Sequence, residues 1–254
     1  DPGAGRQTDG TVSFGARGDG LYECFQEQWL LSGKDAGLAH VLEMYKESMR
    51  AMADTVLIQS SPSNFTFIAE SHNGRLMGKM DHLVCFAPAM LALGVREGAV
   101  AGEEAALHLQ WAEQLTRTCV EMYKKTKTGV APEIVQFGVD INPTGMSNRN
   151  GIENRGSPGI MDFRVDPGAR HNLLRPETTE ALYELYRTTK KPIYREWGWQ
   201  LFLAWVKHCR VATGGYSGLR DVDDASLDER YLDTDHTGVI PGATTAPYRW
   251  PNWN

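Results

Sequence analysis

The stretch RPETTEALYELYRTTKKPIYREWGWQLFLAWVKH, residues 175–208, decides the fold class of this chain. Pro176 opens one helical pattern that continues to Lys190, and Pro192 opens a second that continues to His208. Proline suits the first turn of a helix, because its missing N–H would be unpaired there in any case. Only a short link separates the two patterns, so the sequence predicts an antiparallel pair of helices.

The same helical periodicity recurs earlier in the chain. It predicts four more helices, over residues 20–31, 38–59, about 80–93 and 103–127. Together with the first pair they make about three αα-hairpins. One helix of each hairpin is rich in small and apolar residues, as an inner layer requires, and its partner carries more charge. The chain is therefore predicted to be an all-α repeat array, and periodicity leaves a bundle, a solenoid and a closed toroid open.

Composition narrows the class of protein. The 254 residues suit one domain, and a hydrophobic fraction of 41% allows a packed core. A formal net charge of -6 argues against a nucleic-acid partner, for which a basic stripe is typical. The longest apolar run, residues 83–95, is too short to span a membrane and is broken by Pro88. No signal peptide or anchor precedes Asp1, so we expect processing or an incomplete sequence.

Two segments break the helical pattern. Residues 138–169 are rich in Gly, Asn and Pro and are predicted to form a long loop. From residue 222 onward no helical period is present, and we expect a disordered tail over 222–254. Its residues 233–238 copy the start of a calcium-binding loop, but Thr244 stands where the bidentate Glu belongs and Pro241 opposes the exit helix. Elsewhere, Asn64-Phe65-Thr66 forms an N-glycosylation sequon, which alone is weak evidence for a secretory compartment.

Three carboxylates stand at the start of predicted helices or in tight turns. Asp19 precedes a helix and could simply cap it. Glu177 lies in a first helical turn, where an acid is stabilised by the helix dipole. Glu133 follows Pro132 in what could be an ordinary turn. His82 could equally be a satisfied core histidine, and local ion pairs could account for two further residues, Arg175 and Glu180.

Taken together, these acids suggest a shared site. Carboxylates far apart in sequence, all at the same ends of inner helices, would converge at the mouth of a toroid. Glycoside hydrolysis needs such a set, because one acid protonates the leaving oxygen while one carboxylate activates water. Inverting enzymes hold the two about 6.5–9.5 Å apart to admit that water.

Five blocks carry a resemblance to a known family. They are GARGD at 15–19, KMDHLVCF at 79–86, APEIV at 131–135, HNLLRPETTEALYELYR at 171–187 and GGYSGL at 214–219. In identity, order and spacing they resemble class I α-1,2-mannosidases of glycoside hydrolase family 47, and the endoplasmic-reticulum type most. The resemblance covers residues from about 10 to 221. It implies an (α/α)7 toroid that trims α-1,2-linked mannose from high-mannose N-glycans by inversion, with a bound Ca²⁺ ion.

The resemblance also implies roles for individual residues. Asp19 and Glu133 match acids assigned to the active site, and Glu177 matches the residue usually given the role of base. Four more positions match residues that line the sugar pocket: Arg17, His82, Arg175 and Glu180. Arg17 is the endoplasmic-reticulum choice, where Golgi-type members typically have Leu, and it is expected to select the glycan branch.

A disulfide pairing is implied as well. Cys85 and Cys119 match the family's disulfide, which implies the oxidising lumen of the endoplasmic reticulum or Golgi. Cys24 and Cys209 match no such pair. Family members are often membrane-anchored through a preceding segment.

The chain departs from the family pattern at both ends. The acid most often named as proton donor lies in a hairpin before GARGD, and the Thr that binds calcium follows GGYSGL in a motif that does not occur here. We therefore expect residues 1–221 to be a partial catalytic domain and 222–254 an unrelated tail. This stretch alone is expected not to hydrolyse mannosides and to bind calcium weakly at best. The alternatives are a non-catalytic, lectin-like mannose-binding protein in glycoprotein quality control and a solenoid scaffold without sugar chemistry.

Overall fold

Six α-helices dominate the part of the chain that the structure describes. The computed structural model describes residues 10–16, 18–138, 162–212, 214–226 and the backbone of 230–231. The helices are α1 (Asp19–Leu31), α2 (Ala39–Thr55), α3 (Ala87–Arg96), α4 (Gly102–Lys124), α5 (Glu177–Thr189) and α6 (Ile193–His208). All six predicted helices are thus present.

Two predicted boundaries are wrong by four residues or more. The second helix ends at Thr55 rather than at residue 59, because Leu57–Gln59 turns into a strand that pairs with the next segment. The third helix begins only at Ala87. Lys79–Asp81 before it is a strand and His82–Phe86 a 3₁₀ turn, and Pro88 then stands in the first turn of the α-helix, where it is favoured.

The helices pack as three hairpins, α1 with α2, α3 with α4 and α5 with α6, while α3 also packs against α1 and α5. Helix α3 is buried along most of its length, from Ala87 to Gly94. Its partner α4 buries one face, and α6 buries only Tyr194 and Leu201. Helices α1, α3 and α5 therefore form an inner layer and α2, α4 and α6 an outer one, as predicted.

Ten short strands lie between and beside these helices in the described ranges. They are β1 (Thr11–Val12), β2 (Leu57–Gln59), β3 (Thr66–Ile68), β4 (Glu70–His72), β5 (Arg75–Met77), β6 (Lys79–Asp81), β7 (Ile134–Phe137), β8 (Phe163–Arg164), β9 (Gly218–Leu219) and β10 (Arg230–Tyr231). They pair antiparallel in small sheets of order β1-β4-β5, β2-β3, β6-β7-β8 and β9-β10. The sheet β6-β7-β8 joins the segments that precede α3 and α5.

A disulfide joins Cys85, just before α3, to Cys119 in α4, with Cα atoms 6.1 Å apart. Both residues are buried in the main core. The predicted pairing is therefore confirmed. Cys24 and Cys209 take no part in it; Cys24 is exposed on α1 and Cys209 is buried in a small cluster with Val130.

None of the helices in the described ranges combines the length and apolarity that crossing a bilayer needs.

The predicted domain boundary lies at residue 221. Val222 is fully buried and its backbone bonds to Arg170 and Thr128, while β10 pairs with β9. The domain boundary at residue 221 stays a prediction. Most of the predicted loop (139–161) and the calcium-like segment at 233–238 lie outside the described residues.

Candidate active site

The starts of α1 and α5 and the 3₁₀ turn before α3 meet on one side of the inner layer. The turn into α1 is tight, because the N–H groups of Gly18 and Asp19 both donate to the Gly15 carbonyl, at 3.0 and 3.1 Å. A Cβ on Gly18 would lie 2.4 Å from the Ser13 carbonyl oxygen, so only glycine fits there. The turn also packs on Asp81, since a Cβ on Gly15 would lie 2.7 Å from its Oδ2. Asp19 is thereby placed beside the segment that carries His82.

Strand pairing brings the second and third sequence blocks together. Strands β6 and β7 place Asp81 opposite Ile134. One residue further along, the His82 N–H donates to the Glu133 carbonyl at 2.8 Å. His82 and Glu133 are 51 positions apart in number but adjacent in space, because the sheet joins the loops that enclose α3 and α4.

Asn172 ties the remaining blocks to this sheet. Its backbone exchanges two hydrogen bonds with Leu219, at 2.8 and 3.0 Å. Its side-chain amide donates to the Ala131 carbonyl, and its Oδ1 accepts from the Leu174 N–H, both at 2.8 Å. Asn172 is fully buried, and these bonds satisfy its polar atoms. The segment leading into α5 is therefore fixed to both neighbouring blocks.

Glu177, the first residue of α5, is approached from inside the protein by His82. The His82 side chain is fully buried, and its Nδ1 lies 3.6 Å from Glu177 Oε2. Its Nε2 lies 3.0 Å from the Tyr123 hydroxyl and 3.3 Å from Thr178 Oγ1. Burial raises the pKa of Tyr123, so its hydroxyl keeps its proton at any physiological pH. A single row of polar groups thus runs from α4 to the carboxylate of Glu177, whose side chain is 15% exposed.

Glu133 is held at fixed geometry. Its Oε1 accepts from the Leu173 N–H at 2.9 Å, and its Oε2 accepts from Arg175 Nε at 2.7 Å. Its side chain is only 8% exposed, while that of Arg175 is 28% exposed. A nearly buried carboxylate needs such a charged partner. One side of Arg175 therefore stays open to the site while the other side neutralises Glu133.

Helices α1 and α5 carry acids along stripes near one another. On α1 the spacing is i, i+4, i+8, at Asp19, Glu23 and Glu27, which places all three on one helix face. On α5 the corresponding acids are Glu177, Glu180 and Glu184. Arg96 neutralises Glu184, while no ion pair with Lys or Arg of the described residues neutralises the other acids.

The carboxyl of Glu23 has the most strongly shifted pKa in this cluster. Burial raises its pKa to about 7. Four neighbouring carboxylates act in the same direction, those of Glu180, Glu27, Asp19 and Glu177. Burial, and after it Glu184 and Glu177, likewise raise the pKa of Glu180. Such clustering of raised acid pKa values is typical of functional sites.

The structure brings most of the predicted site residues together. Asp19, Glu177 and Glu180 lie around Glu23, His82 contacts Glu177, and Glu133 pairs with Arg175. Arg17 lies outside the described residues. Sequence reasoning missed Glu23 and Tyr123. The spacing of Glu23 four residues after Asp19 was the available signal for the first; nothing in the sequence marked the second.

The described residues do not fit a calcium ion. Within the described ranges, no three His, Cys, Asp or Glu side chains are arranged to hold a metal. Calcium takes six to eight oxygen ligands, and the carboxylates of the described ranges do not supply such a set. No chemical step is attached to calcium here.

Comparisons with known proteins identify the family of this chain. A profile described as glycosyl hydrolase family 47 matches residues 1–236, and the chain belongs to that family. It is 40% identical over 220 residues to the human endoplasmic reticulum mannosyl-oligosaccharide 1,2-alpha-mannosidase, covering 87% of this chain and 28% of that protein. It is 38% identical over 236 residues to a mannosyl-oligosaccharide 1,2-alpha-mannosidase of Arabidopsis thaliana, covering 86% of this chain and 37% of that protein.

The structural comparison concerns the fold. An alpha-1,2-mannosidase from Trichoderma reesei superposes with a TM-score of 0.70 at 20% identity, over 89% of this chain and 44% of that one. The three hairpins are therefore part of an (α/α)7 barrel, and the solenoid alternative is wrong. The chain spans well under half the length of the curated relatives it matches here.

Proposed function

We propose that the complete polypeptide is an inverting α-1,2-mannosidase that removes terminal mannose from high-mannose N-glycans. The observation that carries the proposal is the carboxylate of Glu177, held at the start of an inner helix against a fully buried His82. Family membership and the names of the relatives support the substrate class.

Glu177 is the proposed general base. Its Oε2 accepts no hydrogen bond from the described residues and faces His82 Nδ1 at 3.6 Å, while the side chain as a whole stays 15% exposed. A carboxylate oriented from one side and open on the other can take a proton from a water molecule. That water would attack the anomeric carbon from the face opposite the leaving oxygen, which inverts the configuration. In the family the proton donor lies before the GARGD block, so the reaction is proposed for the complete polypeptide.

The other acids are proposed to bind the sugar. Asp19, Glu23 and Glu180 offer carboxyl oxygens that accept hydrogen bonds from mannose hydroxyls. The paired Glu133 and Arg175 offer a fixed donor and acceptor at the side of the pocket. A carboxyl with a pKa near 7, as at Glu23, also donates a hydrogen bond while it is protonated, which lowers the repulsion between acids that share one ligand.

The proposal extends to the choice of glycan branch and to the cellular compartment. Arg17 is proposed to select the branch, since a guanidinium at this position can bridge hydroxyls of neighbouring mannoses. The Cys85–Cys119 disulfide supports an oxidising lumen, and the relatives' names support the endoplasmic reticulum. Calcium enters the proposal only for the complete polypeptide, with ligands outside the described residues.

The test uses the complete polypeptide and a nine-mannose N-glycan. Proton NMR of the first mannose released is expected to show the β anomer, formed by inversion of the α linkage, before mutarotation. First release of the α anomer would exclude this use of Glu177. Tight glycan binding without release of mannose would instead favour the lectin-like alternative.

A further inference from the structure

Asn64 opens the sequence Asn64-Phe65-Thr66, which the proposed catalytic site does not use. It is the only Asn-X-Ser/Thr tripeptide in the chain whose middle residue is not proline. Asn142-Pro143-Thr144 shares the outer residues, but its proline prevents recognition by the glycan transferase. We propose that Asn64 carries an N-linked glycan. The proposal needs only entry into the secretory pathway and does not depend on hydrolase activity.

The position of Asn64 suits a glycan. It lies in the turn between β2 and β3, with a φ of 54°, and its side chain is exposed. Pro62 and Ser63 before it are exposed as well. No hydrogen bond to the Asn64 side chain occurs among the described residues, whereas the neighbouring Ser63 is fixed by two bonds to Asp162, at 2.8 and 2.9 Å. The turn therefore holds its shape without the amide of Asn64, which can carry a bulky group into solvent.

The same turn limits when the glycan can be added. Thr66 is 3% exposed, and its hydroxyl donates to Gln114 of α4 at 3.4 Å. Phe65 is 6% exposed and lies under two cations, Arg117 at 5.1 Å and Lys125 at 5.0 Å. The transferase must reach the threonine hydroxyl as well as the asparagine amide. In the folded protein it reaches only the amide, so the glycan is added before the hairpin packs against α4.

The chemistry is a glycosyl transfer from a lipid-diphosphate-linked oligosaccharide. A bond forms between Asn64 Nδ2 and C1 of the terminal N-acetylglucosamine, and the bond from C1 to the diphosphate oxygen breaks. Nδ2 loses one proton, and the lipid diphosphate leaves with the electron pair. The Cys85–Cys119 disulfide supports passage through the oxidising lumen in which this transfer occurs.

The glycan lies apart from the acids on α1 and α5. Strands β2 and β3 pack against the outer helices α2 and α4. We therefore expect removal of the glycan to leave glycan-trimming rates unchanged. The glycan would instead cover the turn and favour the correctly paired β2-β3 hairpin. In a hairpin of shifted register the glycan would face Gln114 and Arg117, where there is no room for it.

The test expresses the complete polypeptide in a eukaryotic secretory pathway and measures peptide mass before and after peptide N-glycosidase. Wild type is expected to lose a glycan mass and to show Asp at position 64 afterwards. Asn64→Gln and the nearly isosteric Thr66→Val are expected to lack the glycan, Thr66→Ser to keep it, and Asn142→Gln to resemble wild type. Peptide mapping of the disulfide shows whether the chain reached the lumen.

A second experiment tests whether Asn64 is glycosylated before the chain folds. Nascent chains translated into microsomes are expected to be modified, while folded, disulfide-bonded protein offered to the same membranes is not. Disulfide-bonded wild-type protein with an unmodified Asn64 would overturn the proposal. Modification of the folded protein would overturn the order of events.

Discussion

His82 Nδ1 lies 3.6 Å from Glu177 Oε2, and the other nitrogen of the same ring lies 3.0 Å from the Tyr123 hydroxyl. A carboxylate only accepts hydrogen bonds, so the ring nitrogen that faces it is the one that carries the proton. Nε2 then accepts, and Tyr123 donates to it. In this tautomer the Nδ1–H of His82 points at Glu177 Oε2, and the hydroxyl of Tyr123 on α4 lies at Nε2.

Tyr123→Phe is predicted to weaken catalysis without weakening substrate binding. The change removes the nearer of the two hydroxyls, those of Tyr123 and Thr178, that face Nε2 of His82. Loss of one buried neutral hydrogen bond, worth about 0.5–1.5 kcal/mol, corresponds to a decrease in kcat of about 3–10-fold. KM is expected to stay the same. Steady-state kinetics on the complete enzyme measure both.

Tyr194→Phe is the matched control, since Tyr194 is a buried tyrosine of the outer helix α6. It should alter stability and leave kcat unchanged. An equal loss of kcat in both variants would show that Tyr123 acts only through packing.

Glu177→Gln is predicted to remove turnover while glycan binding persists. Glutamine keeps the shape of the side chain but cannot accept the proton of the attacking water. Removing a general base typically costs about 10²–10⁴-fold, and here the loss should appear in kcat. Single-turnover rates and glycan affinity on the complete enzyme are the measurements.

Glu196→Gln serves as the control for Glu177, because Glu196 is also an acid in the first turn of a helix, but on the exposed side of α6. Its rates should match wild type. If Glu177→Gln retained most of its turnover, another carboxylate would have to be the base.

The helices can be predicted from the sequence, whereas the candidate site can be predicted only in part. Pro176 and Pro192 indicate where two helices start, because the preference of proline for the first turn of a helix is a local effect. The strands are two to four residues long, too short for a periodic signal, and Met80 was therefore assigned to a helix. Their existence depends on pairing between distant segments.

The same distinction separates the site residues. Asp19 and Glu177 stand at helix starts, where position alone draws attention to them. The raised pKa of Glu23 depends on burial and on acids of α5, about 150 positions later, so no local pattern reveals it. Tyr123 matters only because its helix packs behind His82.

The Cys85–Cys119 disulfide is predicted to stabilise the fold. Its two cysteines are 34 residues apart, and closing a loop of that size stabilises by roughly 3–4 kcal/mol in the chain-entropy model. A Cys85→Ser, Cys119→Ser double variant should therefore unfold at markedly lower denaturant concentration. Cys24→Ser, at an exposed position outside the bridge, should not change the midpoint. Equal midpoints for all three proteins would contradict the prediction.

Arg17→Leu is predicted to broaden branch specificity in the complete enzyme. Arginine can donate several hydrogen bonds in a fixed fork to hydroxyls of neighbouring branches, and leucine donates none. We expect wild type to remove chiefly one mannose from the nine-mannose glycan and the variant to continue along further branches. Time-resolved glycan profiling measures this, with Arg195→Leu on exposed α6 as the control. Trimming by Arg17→Leu that still stops after the same single mannose would show that Arg17 does not select the branch.

Glu23→Gln is predicted to raise stability at neutral pH and much less at pH 4.5. Burial, with four neighbouring acids, raises the pKa of Glu23 from 4.5 to about 7 in the folded protein. Between these values the folded state binds more protons than the unfolded state, so stability falls as pH rises through this window. Below pH 4.5 the carboxyl is protonated in both states and the penalty disappears. The neutral amide removes the penalty at every pH.

The expected gain in stability from Glu23→Gln is modest. Its dependence on salt separates the contribution of burial from that of the neighbouring acids. Glu23 is partly exposed, and screening by solvent keeps the gain at pH 7.5 below about 1 kcal/mol, or ~2–4 °C in Tm for a domain of this size. Thermal unfolding from pH 4 to 8 measures it, with Glu47→Gln on exposed α2 as the control. Added salt should shrink the part of the gain that comes from Glu180, Glu27, Asp19 and Glu177, while the larger part, due to burial, should persist. A Tm difference from wild type that is the same at pH 4.5 and pH 7.5 would show that Glu23 carries no raised pKa.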